Sequence, residues 1–112
     1  MGVSIDFSKI LDDLKNNIAQ LAKLTVSNYV TDAKKDAELL LKEMKADLER
    51  WTIQLADGKI TTKEFEFLVN SEKDSVKMEA LKQAGLAVIR VEQFKSSLFN
   101  LIVDTIFNKI LP

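Results

Sequence analysis

The side chains able to do chemistry are almost all carboxylates and amines. The chain has 112 residues with 17 Asp+Glu and 16 Lys+Arg, but no His and no Cys. General acid–base work would fall to paired carboxylates or to a carboxylate–lysine pair, because the commonest general base and metal ligand is missing. Asp12-Asp13 is such a pair, yet adjacent residues on a helix point to different sides. No Gly-rich phosphate loop and no nucleophile elbow is present. Without Cys there is no disulfide, zinc-finger or thiol chemistry. The expectation is a non-enzymatic protein with no catalytic, cofactor-binding or metal-ligating residues.

A second set with chemical interest is Asp57-Gly58-Lys59-Ile60-Thr61-Thr62-Lys63-Glu64-Phe65. It resembles the second half of an EF-hand calcium loop, with Gly58 at the sixth position, Ile60 at the eighth and Glu64 at the twelfth. Positions one and three, which should carry oxygen ligands, are Ile53 and Leu55. A helical turn followed by a capping box, Thr61 with Glu64 three residues on, accounts for the same residues and is the preferred reading.

Charge is dense over Asp32 to Arg50, with mixed signs. Glu38 with Lys42 and Lys45 with Glu49 stand four apart, as helical neighbours do. The stretch reads as a solvated helix face. A net charge of -1 leaves no field for nucleic acid, so no nucleic-acid partner is expected.

The elements that would position these residues are helices. Between Gly2 and Gly58 there is neither Gly nor Pro, and between Gly58 and Pro112 only Gly85 interrupts. Such sequences suit helices and not turns. Asp57-Gly58 is the clearest turn, with one helix ending near Leu55 or Ala56 and the next beginning near Thr62. Leu11, Leu14, Ile18 and Leu21 form one helical stripe. Ala33, Ala37, Leu40, Met44, Leu48, Trp51 and Leu55 form another. The two stripes are out of phase, which places a break near 28–32, where Ser27, Asn28, Thr31 or Asp32 could cap a new helix. Asn70-Ser71 is a weaker break, with Ser71 as a cap, and Gly85 is a C-cap. A single Trp such as Trp51 is usually a buried anchor, with a surface hot spot as the alternative, and Tyr29 at the suspected break is open to the same two readings.

The C-terminal segment is the most apolar. Phe94, Leu98, Leu101, Ile102, Ile106 and Ile110 share a face, and Phe99 and Val103 widen it, so this helix is expected to be buried on more than one side. Ser97, Asn100, Asp104 and Asn108 lie on the other side.

The fold class expected is all-α, a single helical domain over 1–112 folded back at Asp57-Gly58. Real breaks give a four-helix bundle of about 25 residues per helix. Mere kinks give a hairpin of two helices of about 75 Å, completed by self-association. The function expected is a small interaction or assembly module acting through protein–protein contacts as a homo-oligomer. Its interface residues would be Phe94, Leu98, Phe99, Leu101, Ile102, Ile106, Phe107 and Ile110. The alternative is a peripheral membrane-binding or pore-forming protein using the same helix. That polar face carries few Lys or Arg to meet anionic lipid, so a membrane surface is the less favoured partner. An apolar ligand among Phe65, Phe94, Phe99 and Phe107 is a third reading. The first six residues have no basic region before an apolar run, and Asp6 stands where a myristoylation motif needs Ser or Thr. No stretch reaches the roughly 18 apolar residues of a membrane span. The default location is the cytoplasm.

Overall fold

The long Gly-free runs form helices in the computed structural model, which describes residues 5–111. Helix α1 is Phe7–Thr25, α2 is Val30–Ala56, α3 is Thr62–Ser71, α4 is Glu79–Gln83 and α5 is Val88–Ile110. Tight 3-10 turns at Ser27–Tyr29 and Lys73–Ser75 lie between α1 and α2 and between α3 and α4. There is no strand among the described residues. The described part measures 49 × 24 × 21 Å, which excludes the long hairpin and leaves the bundle.

The bundle departs from four equal helices. Its three long members, α1, α2 and α5, pack against one another, and α1 and α5 run antiparallel. Three ties along the α1–α5 seam establish that direction: Lys109 to Asp13 at 2.6 Å, Asn17 to Thr105 at 3.1 Å, and Arg90 to the Thr25 carbonyl at 2.8 Å. The fourth side is covered by a broken element, α3 followed by α4 with the 3-10 turn between them. Asn70-Ser71 does end a helix, but Ser71 is not a cap. Its hydroxyl donates back to the Leu68 carbonyl at 2.6 Å. A serine near a helix end can satisfy its own backbone in this way instead of starting the next helix.

The expected break before α2 is real, and the expected caps are not. Tyr29 occupies the N-cap position and no side chain caps α2. The central turn is as expected: Thr61 accepts from the Glu64 N–H at 3.1 Å, and Glu64 accepts from the Thr61 N–H at 2.9 Å.

All seven residues of the second stripe are buried, so α2 faces the core as its spacing demands. In α1 the buried line is Phe7, Ile10, Leu14, Ile18 and Ala22, while Leu11 and Leu21 sit half-buried at its edge. The true line ends on a small residue, and the larger leucines beside it drew the expected stripe off centre. In α5, Val91, Phe94, Leu98, Phe99, Ile102, Val103 and Ile106 are buried, confirming a wide apolar arc. Each such side chain contributes about 1.5–3 kcal/mol on leaving water. No helix is long and apolar enough to cross a membrane among the described residues.

Candidate functional site

The charged groups with the best-defined environments serve the fold. Asp36 on α2 is 6% exposed, and its two carboxylate oxygens accept from the backbone N–H groups of Ala80 and Leu81, both at 2.9 Å. Those are first-turn amides of α4, which has no cap of its own. The carboxylate therefore caps a helix from another part of the chain and complements its positive end. Lys95 on α5, also 6% exposed, reaches the Val76 carbonyl at 3.3 Å and Glu92 at 3.2 Å, tying the α3–α4 connection to α5. Neither role was apparent in the sequence, where Asp36 is one acid among many in a charged run.

The adjacent carboxylates singled out, Asp12 and Asp13, have different surroundings. Asp13 is engaged by Lys109, and its neighbour Asp12 is exposed. Asp6 has its carboxyl held below the ordinary 3.8 by the Ser8 hydroxyl, which donates to it at 2.6 Å. Among the described residues no group of three or more acids could hold a metal ion. In the EF-hand-like segment the Glu64 carboxylate is occupied by the capping box and Ile53 faces outward. Surface clefts of about 230 to 360 Å³ occur between helices. The cleft near the α1 start is lined by oppositely charged Lys9, Asp6, Asp13 and Lys109 around Ile5 and Ile110. The Phe65 and Phe107 rings pack on each other at 5.5 Å, and Phe94 and Phe99 are buried in the same core.

The residues named as an interface lie mainly inside the chain. Phe94, Leu98, Phe99, Ile102 and Ile106 are buried in its own core, and Leu101, Phe107 and Ile110 are half-buried against it. The apolar surface left to water is elsewhere. One part is the line Leu39, Ala46, Ile53 on the outward face of α2, where Leu39 is 52% and Ile53 is 42% exposed. Another is the end of the molecule where Arg90 meets Thr25, flanked by the exposed Leu24, Val88 and Ile89. A third is Phe67 on α3.

The α2 line had a signal in the sequence, an apolar residue every seven positions, opposite the stripe that the core demanded. The charges beside it do not pair as their spacing suggested. Over Asp32 to Arg50 the one ion pair among the described residues is Arg50 with Asp47 at 2.9 Å, while Glu38–Lys42 and Lys45–Glu49 do not form. Comparison with known proteins finds no matching family model, no matching curated protein and no matching solved structure.

Proposed function

We propose that the chain is a non-enzymatic helical interaction module that works by binding protein, in the first instance another copy of itself. The observation that carries this reading is the outward face of α2. The apolar arc of α5 closes the chain's own core, so folding alone places no demand on Leu39 and Ile53, yet both stay exposed on one helix face. An aliphatic line on a helix surface is the raw material of helix–helix association. Its charged flanks keep the monomer dispersed and give selectivity between partners. The lipid-surface reading drew on the apolar arc of α5, which is packed inside, and so has less to support it.

Sedimentation velocity over a wide concentration range tests this. The expected result is a sedimentation coefficient that rises with concentration from that of a 12.6 kDa monomer. A concentration-independent monomer across the range overturns it.

A further inference from the structure

The charges that border the Leu39–Ala46–Ile53 line are self-complementary. We propose that α2 pairs side by side and antiparallel with α2 of a second copy of this chain, about a two-fold axis beside Ala46. This rests on the self-association reading above and names its surface.

At about 100° per residue, Leu39, Ala46 and Ile53 fall within about 40° of one another on the face of α2 turned away from the core. Leu39 and Ile53 each stand seven residues from Ala46. In an antiparallel pair centred there, Leu39 meets the partner's Ile53 at both ends, and Ala46 meets the partner's Ala46. A small residue at the crossing lets the two helices approach closely. A two-fold interface brings the same flank of each helix together. On one flank stand Lys42, four residues before the axis, and Glu49, three residues after it. On the other stand Glu43, three before, and Arg50, four after. Lys42 therefore faces the partner's Glu49, and Glu43 faces the partner's Arg50, each contact made twice. Farther out, Lys35 and Asp57 are both eleven residues from Ala46, so Lys35 reaches the partner's Asp57.

All these side chains are exposed. Among the described residues Lys35, Lys42, Glu43, Glu49 and Asp57 have no ion-pair partner in their own chain. Arg50 does hold Asp47, but an exposed pair of that kind is weak enough to exchange. A parallel pairing would set Lys42 against the partner's Glu43 and Glu49 against the partner's Arg50. It would also oppose Lys35 to the partner's Lys35, Asp57 to the partner's Asp57, and like helix ends to each other. The antiparallel register satisfies every one of these charges. One helix face is a small interface, so the dimer is reversible, with a Kd on the order of micromolar.

The test is sedimentation velocity on the full chain and three variants, with circular dichroism confirming unchanged helicity. Ala46→Glu places two carboxylates face to face and should raise the Kd more than about tenfold. Lys42→Glu should do the same by opposing Glu49 in both copies. Adding Glu49→Lys to Lys42→Glu restores opposite charges in the antiparallel register and should bring the Kd back to within about threefold of the original. In the parallel register the second change sets the introduced amine against the partner's Arg50 and gives no rescue, so failure of rescue overturns the antiparallel arrangement. A dimer untouched by Ala46→Glu and Lys42→Glu overturns the α2 surface while leaving self-association standing. A chain that is monomeric throughout overturns both.

Discussion

Asp36 and Thr52 both turn into the core from α2, and their polar atoms meet opposite fates. Asp36 finds two backbone donors, whereas the Thr52 hydroxyl, wholly buried, is without a hydrogen-bond partner. A buried polar atom left unpaired carries its desolvation cost uncompensated, about 1–3 kcal/mol. Valine has nearly the shape of threonine and no hydroxyl to desolvate. Thr52→Val is therefore expected to leave the fold intact and to raise the free energy of unfolding by up to about 1 kcal/mol in urea titrations. A loss of stability would mean that the hydroxyl is satisfied in solution. At this scale the sequence says little, because what separates Asp36 from the other acids of its run is the place where α4 comes to rest.

At the scale of elements, α2 and α4 end in the same way. Gly58 (φ 74°) and Gly85 (φ 96°) each follow a helix in the left-handed region. Gly58 donates to the Leu55 carbonyl at 3.1 Å and Lys59 to Gln54 at 2.8 Å; Gly85 donates to Lys82 at 3.1 Å and Leu86 to Leu81 at 3.2 Å. Both ends are Schellman motifs, which satisfy carbonyls that the helix leaves open. Nothing lies within 4 Å of where a Cβ would stand at either glycine, so substitution costs backbone strain alone. Gly58→Ala and Gly85→Ala should each destabilise by about 1–2 kcal/mol in thermal or urea unfolding, without loss of helicity. These boundaries were legible because glycine and the Thr61–Glu64 pair act locally. So was the core face of α2, whose seven apolar positions keep one phase. The core line of α1 was displaced by two leucines at its edge, since size in a sequence does not report which side faces a neighbour. The start of α4 was not legible, because the carboxylate that holds it, Asp36, comes from α2 and is brought there only by the tertiary fold. The outward line of α2 was in view but masked by the charges around it.

Across the whole molecule, the fourth side of the bundle is the least continuous. It is held by Phe65, Val69, Met78 and Leu81 in the core and by the polar ties from Asp36 and Lys95. Asp36→Ala should cost about 2 kcal/mol, the worth of charged hydrogen bonds to a helix start. In hydrogen exchange, the amides of Ala80 and Leu81 should lose protection first while the mid-helix amides of α1, α2 and α5 retain theirs. Equal loss in α2 would show that α4 is not a separately opening unit. An isolated helix shorter than about 12–15 residues is marginal in water, and α4 has only 5 residues. Its order is thus borrowed from α2, and synthesis runs from the N-terminus. By the time residues 79–83 leave the ribosome, the helix that carries their cap has already emerged, so the direction of translation presents the template before the segment that must be shaped by it.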